Sequence, residues 1–223
     1  MGVQLAPWFD RVTLVEPDPQ MLAEARAHAA AAGVTAISFV QATAEELPAL
    51  GLSPVHVVTF GQSFHRTDRV VVAEAVYRLL EPGGSLVVIS HDPTAPPPPA
   101  PPGTSPIPHD EIRQLITSFG GSELRSGRRL VADYSVERFE RTLERTSFGP
   151  PRRAVAPGRP DIVRDVDGVI AGVLSMSYAA PHLFGARLEE FVAALRGLLE
   201  RHSTTGRFWD WPGDTELLIA RRD

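Results

Sequence analysis

Glu16 is the residue whose position most clearly suggests chemistry. It follows the short, mainly apolar run 11–15 and directly precedes a predicted helix. In parallel sheets, ligands bind outside the carboxyl ends of the strands, and a carboxylate there can accept hydrogen bonds from both hydroxyls of a ribose. A second interpretation requires no ligand, because an acid next to a helix N-terminus is stabilised by the helix dipole. The position of Glu16 alone leaves both interpretations open.

The other polar groups predict neither a metal site nor a nucleophile. His109, Asp110 and Glu111 are adjacent at a predicted helix start, where their side chains point in different directions and serve better as helix caps. The chain has no cysteine, which excludes disulfides, thiolate metal sites and cysteine nucleophiles. It also has no GxSxG, P-loop or HExxH motif.

Composition narrows the classes of function further. The net charge of −5 over 223 residues gives no support to a nucleic-acid partner. Two basic clusters are interpreted as solvated surface. They are Arg125, Arg128 and Arg129, and Arg152 with Arg153. A hydrophobic fraction of 43% favours a folded protein. No apolar run reaches the roughly 18 residues of a membrane span, and the N-terminus lacks the features of a signal peptide, so we expect a cytoplasmic protein without a membrane partner.

The elements that must position Glu16 alternate between strand and helix. Continuous apolar strands separated by helices predict an α/β fold with a parallel sheet buried on both faces. The predicted strands are 11–15, 37–40, 55–60 and 85–89, and the predicted helices between them are 19–33 and 69–80. Asp18 is expected to cap the first of these helices, with Pro19 in its first turn.

The second half of the chain begins with a proline-rich segment. Nine of the sixteen residues 93–108 are proline, which predicts a loop. The helices predicted beyond it are 110–119, 136–145, 165–175 and 187–201. Residues 207–222 are predicted to form a terminal hairpin, turning at Pro212, Gly213 and Asp214.

Four segments of the first half resemble class I S-adenosylmethionine-dependent methyltransferases in order and spacing. They are VTLVEPDPQMLAEAR (12–26), FVQATAEELP (39–48), VVTFGQSFHRTD (57–68) and YRLLEPGGSLVVIS (77–90). The resemblance is closest to the small-molecule, methyltransferase-domain type and covers about residues 5 to 92. It implies a Rossmann-like sheet with helices on both faces and a C-terminal antiparallel strand. It also implies one domain: 1–92 is the cofactor-side half, 93–108 the loop, and 109–223 the acceptor-side helices and hairpin.

The resemblance implies a role for each matching residue toward S-adenosylmethionine. Glu16 corresponds to the acid that holds the ribose hydroxyls, and Pro17 and Met21 lie where the family packs against the adenosine. The loop after the third strand of the family, which frames the adenine, corresponds to Thr43, Ala44 and Glu45. The segment that borders the methionine end and the methyl acceptor corresponds to Gly61, Gln62, Phe64 and His65. Thr43 stands where relatives commonly carry Asp, so one expected adenine contact is weakened or replaced by a hydroxyl.

His65 has two possible roles. A histidine can take a proton from an acceptor hydroxyl or amine as the methyl group arrives. Methyl transfer from a sulfonium is a direct displacement, however, and its barrier falls mainly through alignment and a dry pocket. We therefore favour lining of the acceptor pocket as the role of His65, which is also the candidate catalytic residue.

The resemblance also predicts a segment that is not found here. Relatives carry a glycine-rich loop after their first strand, whereas only fifteen residues precede Glu16, with Gly2 as their only glycine. We therefore expect an N-terminally incomplete domain, in which the family's second and fourth strands lack their common neighbour. A late start codon and a true truncation are both compatible with this. We also expect the 223-residue chain to bind S-adenosylmethionine poorly or not at all.

These observations favour methyl transfer from S-adenosylmethionine to a small-molecule acceptor, with the proline loop and C-terminal helices on the acceptor side. A non-catalytic, methyltransferase-like binding protein is the alternative, favoured by Thr43 and the missing glycine loop. A nicotinamide-dependent oxidoreductase would share the ribose-binding acid, but the segments FGQSFH and LLEPGG disfavour it. The sequence predicts neither the acceptor nor the oligomeric state.

Overall fold

The computed structural model describes residues 1–92, 97–119, 136–176, 178–211 and 213–223. The chain divides into two compact units. Unit 1 contains Met1–His91, Asp133–Ala156 and Thr215–Asp223, and unit 2 contains Asp92–Ala132 and Pro157–Asp214. The basic cluster at Arg125, Arg128 and Arg129, residues 93–96 of the proline-rich loop, and the turn residue Pro212 lie outside the described residues.

The α/β fold predicted from the sequence is confirmed. The helices are α1 (Gly2–Leu5), α2 (Pro19–Ala31), α3 (Arg69–Leu79), α4 (His109–Ser118), α5 (Val136–Leu143), α6 (Val166–Leu174) and α7 (Leu188–His202). The strands are β1 (Val12–Val15), β2 (Ile37–Val40), β3 (Val55–Gly61), β4 (Leu80–Asp92), β5 (Ser105–Pro106), β6 (Arg152–Ala156), β7 (Val163–Asp165), β8 (Arg207–Trp209) and β9 (Asp214–Arg221). None of the described helices combines the length and the apolar character needed to cross a membrane.

Unit 1 holds two sheets. Strands β1 and β2 pair in parallel, with Val12 opposite Ile37. The second sheet has the order β3-β4-β9-β6, in which β3 and β4 are parallel and β6 and β9 antiparallel. In the described part of the chain no ladder joins β1 to β3, which agrees with the expectation that these two strands lack a common neighbour. The antiparallel C-terminal strand is confirmed.

The core of unit 1 lies between α3, α5 and the larger sheet. Phe64, Val72, Val76, Leu80 and Leu86 are almost fully buried in it. Helix α3 contributes one apolar face to this core because its apolar residues recur at helical spacing. Residues of the small sheet and of the loop after it, Val15 and Ala44, pack against the same cluster. The carboxyl ends of β1, β2 and β3 therefore share one apolar support.

The helix α2 begins as the sequence predicts. The Asp18 Oδ1 atom accepts hydrogen bonds from the backbone N–H groups of Gln20 (2.8 Å) and Met21 (3.2 Å), and Pro19 occupies the first turn. These bonds satisfy N–H groups that have no partner within the helix. The predicted cap is therefore confirmed, and it fixes the direction in which the chain leaves Glu16.

Strand β4 begins earlier than predicted. Its pairing with β3 jumps from Val55 opposite Leu80 to Val57 opposite Ser85, so Pro82, Gly83 and Gly84 form a bulge inside the strand. The helix α3 does end before them, at Leu79. Gly83 has a φ of +79°, which glycine adopts without steric cost, and its N–H group donates to the Arg222 carbonyl at 2.9 Å. The segment that follows the end of α3 therefore also forms hydrogen bonds with the C-terminal residues of the chain.

The predicted terminal hairpin is wrong. Strand β8 pairs with β5 and β7 in a three-stranded sheet, whereas β9 pairs with β6 in the other sheet. The reason is that the two strands bury residues in different cores. Phe208 of β8 is fully buried in the unit 2 cluster, while Leu218 and Ala220 of β9 are buried in the unit 1 cluster.

Candidate functional site

The predicted site residues lie on or beside three segments at the carboxyl ends of β1, β2 and β3, with Met21 in the first turns of α2 and Gly61 as the last residue of β3. The first two loops are adjacent because their strands are paired. The Glu16 N–H group donates to the Val40 carbonyl at 3.1 Å, and the Gln41 side-chain amide donates to the Pro17 carbonyl at 3.5 Å. These bonds place Glu16 beside the start of the loop that carries Thr43.

The Glu16 carboxylate is oriented by its own turn. Its Oε1 atom accepts a hydrogen bond from the Asp18 N–H group at 3.0 Å, and the side chain is half-buried. Within the described residues Oε2 accepts no hydrogen bond, so it can accept one from a ligand. Glu16 therefore presents an oriented carboxylate at the carboxyl ends of the paired strands β1 and β2. A ligand with two adjacent hydroxyls could bind to such a group.

The loop after β2 is tied to the start of α3. Thr43 is exposed and precedes a 3₁₀ turn, Ala44–Ala49, and its N–H group donates to Glu46 Oε2 at 2.7 Å. Glu45 Oε1 accepts a hydrogen bond from the Asp68 N–H group at 2.9 Å. Although β1–β2 and β3–β4 form separate sheets, this bond joins the loop of one sheet to the helix that follows the other.

The turn after β3 has an unusual backbone. Gln62 is the non-glycine residue with positive φ (55°) in the described chain, and its N–H group donates to the Ile89 carbonyl at 3.0 Å. This left-handed conformation costs about 1–2 kcal/mol for an ordinary L-residue. Gly61 precedes it, and a Cβ atom at that position would overlap the end of the Met1 side chain. The Met1 side chain therefore covers the end of β3.

Three of the predicted contact residues, Phe64, Met21 and Pro17, differ in how deeply they are buried. Phe64 is only 1% exposed, and its ring packs edge-on against Phe60 (5.3 Å between centroids) and Phe139 (5.7 Å), so its side chain belongs to the core. Met21 is half-buried and Pro17 is exposed, both close to Glu16 along the chain. The structure thus brings Pro17 and Met21 to the carboxyl edge and leaves Phe64 as its support.

His65 lies in a positive environment. Burial and the neighbouring charges of Arg66 and Arg69 lower the pKa of His65 from its ordinary value of 6.5 to about 4. The Arg66 Nε–H group also donates to His65 Nε2 at 3.3 Å. A neutral imidazole with such a low pKa accepts protons weakly. Of the two roles predicted for His65, this environment favours pocket lining over proton removal.

The low pKa of His65 predicts a specific dependence of stability on pH. Between pH 6.5 and about 4 the unfolded chain binds a proton at this residue and the folded chain does not, so the free energy of unfolding should fall as the pH is lowered through this window. Urea titrations of the wild type and His65→Gln at several pH values measure this. We expect the wild type to lose more stability than the variant between pH 7 and 4. Equal losses would contradict the assigned pKa.

The structure shows one group of residues that the sequence analysis missed. Arg69 of α3 lies at a common pocket with Arg141, Thr142 and Arg145 of α5 and the turn after it. The signal was present in the sequence, because Arg141 and Arg145 are four residues apart on a predicted helix and share one face. Their proximity to Arg69 depends on tertiary packing, which periodicity does not show.

Metal binding finds no support in the described part of the chain, where no cluster of three or more histidine and carboxylate side chains could hold an ion. The predicted helix-capping role of His109, Asp110 and Glu111 is wrong, because these residues lie inside the first turn of α4, whose N-cap is Pro108 and has no side-chain cap hydrogen bond. Glu111 contacts His202 at 2.9 Å, and Asp110 contacts Arg113 at 3.2 Å.

Part of this chain is similar to known methyltransferases. Residues 1–84 match the family model described as a methyltransferase domain. A putative methyltransferase from Bacillus halodurans is 15% identical, with a TM-score of 0.50 over 99% of this chain and 86% of its own. The YcgJ protein from Bacillus subtilis is 14% identical, with a TM-score of 0.49 over 98% of this chain and 85% of its own. A search of curated protein sequences finds no significant match.

Proposed function

We propose that this chain, a class I S-adenosylmethionine-dependent methyltransferase whose residues 1–84 belong to the methyltransferase-domain family, methylates a small molecule. The family and the fold make S-adenosylmethionine the cofactor and methyl transfer the reaction. That the acceptor is a small molecule is the additional part of the proposal. It is supported by the type of methyltransferase that the four sequence segments resemble and by the net charge of −5, which does not favour a polyanionic acceptor.

The observation that carries the proposal is the joining of the three carboxyl-end loops. Glu16 bonds to the end of β2 through Val40, and Glu45 bonds to the start of α3 through Asp68. One ligand that contacts all three loops would therefore meet a connected surface rather than three independent ones. This is the edge at which open α/β sheets bind nucleotides.

The described residues fit the cofactor at its nucleoside end. Glu16 supplies an oriented, half-buried carboxylate for the two ribose hydroxyls, while Thr43 and Ala44 supply the loop beside it. Toward the methionine end, the proposed binding residues are Gly61 and Gln62. The Met1 side chain covers Gly61, and it must move aside for a ligand to reach that backbone.

The proposed catalysis relies on positioning. The cofactor supplies a methyl group on a positively charged sulfur, and its transfer requires an acceptor atom held in line and shielded from water. Gln62 fixes the turn at which the two ligands would meet, through its bond to Ile89. His65 then lines the acceptor side as a neutral imidazole, since its pKa of about 4 makes it a weak base.

Transfer of a radiolabelled methyl group from S-adenosylmethionine tests this function. The purified chain is incubated with a bacterial extract that has been separated by size into small molecules, RNA and protein. We expect the label to appear in the small-molecule fraction, and to be absent when S-adenosylhomocysteine is present in excess. Label in the RNA or protein fraction would contradict a small-molecule acceptor. Calorimetric binding of S-adenosylhomocysteine without transfer to any fraction would indicate a non-catalytic binding protein.

A further inference from the structure

His91 lies at the carboxyl end of β4, beside the turn that follows β3. The two strands are parallel, with Gly61 opposite Ile89, and β4 continues beyond that pair to Asp92. His91 is therefore two residues past the last paired residue of β4. At about 3.3 Å per residue and about 4.8 Å between strands, its Cα atom lies roughly 8 Å from that of Gly61.

His91 and Gly61 face the same side of the sheet. Successive side chains of a strand alternate between the two faces, and residues paired across strands share a face, so Ile89 relates the two positions. The other face of β4 carries Leu86 and Val88, which are buried in the core of unit 1. His91 itself is half-buried, so part of its imidazole is open to a ligand.

The imidazole of His91 is oriented by the C-terminal strand β9. Its Nδ1 atom lies 3.4 Å from Thr215 Oγ1, within hydrogen-bond distance. The bond made by one ring nitrogen determines which tautomer the ring adopts. When Nδ1–H donates to the hydroxyl oxygen, the lone pair lies on Nε2. Within the described residues Nε2 forms no hydrogen bond, so this atom can accept a proton from a ligand.

The turn at Gln62 is fixed against the same strand end. Its backbone has a left-handed φ of 55°, and its N–H group donates to the Ile89 carbonyl at 3.0 Å. Strained backbone of this kind persists where the surrounding structure holds it, and it clusters at ligand sites. Gln62 and His91 therefore flank the carboxyl end of one strand pair.

The other histidine near this edge, His65, is less suited to remove a proton. Burial and the neighbouring charges of Arg66 and Arg69 lower the pKa of His65 to about 4. An imidazole with so low a pKa is a weak base. We therefore expect the two histidines to differ in function.

We propose that His91 is the proton acceptor for methyl transfer, so that the enzyme methylates a hydroxyl or an amine, whose acceptor atom carries a proton. This role rests on the proposed function. The acceptor oxygen or nitrogen forms a bond to the methyl carbon with its own lone pair. The bond from that carbon to sulfur breaks, and its electron pair stays on the sulfur, which becomes a neutral thioether. The proton of the acceptor passes to Nε2 of His91 and from there to water, while Thr215 acts as a positioning residue through Nδ1.

The rate at which a radiolabelled methyl group passes from S-adenosylmethionine to an unfractionated bacterial extract tests this role. Total label is measured, so the result does not depend on which fraction contains the acceptor. His91→Ala should lower the rate about 10²- to 10⁴-fold, the usual contribution of a general base. Its affinity for S-adenosylhomocysteine, measured by calorimetry, should equal that of the wild type. Added imidazole should restore part of the rate, which a purely structural loss would not show.

His56→Ala is the matched control, because His56 is an exposed histidine near the opposite, amino end of β3. Its rate and its response to imidazole should equal those of the wild type. Thr215→Val should lower the rate about two- to tenfold, as expected for the loss of one neutral hydrogen bond. Thr215→Ser keeps the hydroxyl and should restore the rate.

Acylation of histidines by diethyl pyrocarbonate tests the location of His91 without methyl transfer. The reagent attacks an unprotonated imidazole nitrogen, and peptide mass spectrometry gives a rate for each histidine. Excess S-adenosylhomocysteine should slow the reaction of His91 several-fold, because its sulfur would lie at the turn of Gly61 and Gln62. The reaction of His56 should not change. An equal rate at His91 with and without S-adenosylhomocysteine would overturn the proposal.

The results distinguish this proposal from the proposed function. Transfer that His91→Ala leaves intact, or that it loses without rescue by imidazole, would overturn the role of His91 and leave the function supported. A loss of S-adenosylhomocysteine affinity in this variant would also overturn that role. Label found only in RNA or protein, with the expected loss in His91→Ala, would support His91 and contradict a small-molecule acceptor. A wild type that transfers no label would contradict both. Circular dichroism of each variant establishes that it is folded.

Discussion

The Glu16→Gln variant should bind S-adenosylhomocysteine about 10- to 100-fold more weakly than the wild type. A carboxylate that accepts hydrogen bonds from ribose hydroxyls contributes roughly 1.5–3 kcal/mol per bond, and an amide offers only one neutral acceptor oxygen. The amide oxygen of glutamine can still accept the hydrogen bond from Asp18, so the turn should persist. Isothermal titration calorimetry with S-adenosylhomocysteine measures the change.

The matched control is Glu24→Gln, which removes the same charge from an exposed position of α2. We expect its affinity for S-adenosylhomocysteine to equal that of the wild type. A Glu16→Gln variant that binds as tightly as Glu24→Gln would show that Glu16 only stabilises the start of α2. That is the ligand-free interpretation which the sequence left open, and this pair of variants separates the two.

The elements that the sequence predicted correctly are those with local signals. Asp18 and Pro19 predict the start of α2 because capping depends on residues a few positions apart. The apolar spacing of α3 likewise predicts its buried face. The terminal hairpin failed because local alternation shows that a segment is extended but not which strand it pairs with. Phe208 and Leu218 are both buried apolar residues, yet they belong to different cores.

The basic cluster at Arg152 and Arg153 shows that local sequence does not predict side-chain pairs between distant segments either. Arg152 is exposed, as predicted. The Arg153 side chain is also 52% exposed, but it forms an ion pair with Glu216, which is only 3% exposed. The two partners are 63 residues apart and meet only because β6 and β9 pair. No pattern in either segment indicates that a surface arginine compensates a buried acid.

The candidate site was likewise only partly predictable from the sequence. Residues that follow paired parallel strands are brought to one edge by the topology, so the proximity of Glu16 and Thr43 could be predicted from strand order. The bond from Asp68 to Glu45 and the basic pocket around Arg69 depend on how loops and helices pack. Strand order does not determine those contacts.

The Arg153→Met variant should reduce the free energy of unfolding by about 2–4 kcal/mol. The reason is that it leaves the Glu216 carboxylate buried without its partner, and breaking one side of a buried ion pair typically costs about 3–5 kcal/mol. The lower end of the expected range allows for water reaching the exposed side of the pair, because Arg153 itself is half-exposed. Urea denaturation of the two proteins measures the difference.

Two further variants identify the cause of that loss. Arg152→Met changes the neighbouring exposed arginine of β6 and should alter the free energy of unfolding by less than about 0.5 kcal/mol. Adding Glu216→Leu to Arg153→Met removes the unpaired charge, and it should restore most of the lost stability because apolar replacements of buried ion pairs are often neutral. A double variant no more stable than Arg153→Met would show that the arginine stabilises β6 by packing alone. The pairing of β6 with β9, which places the C-terminal strand in unit 1, would then not depend on this charge pair.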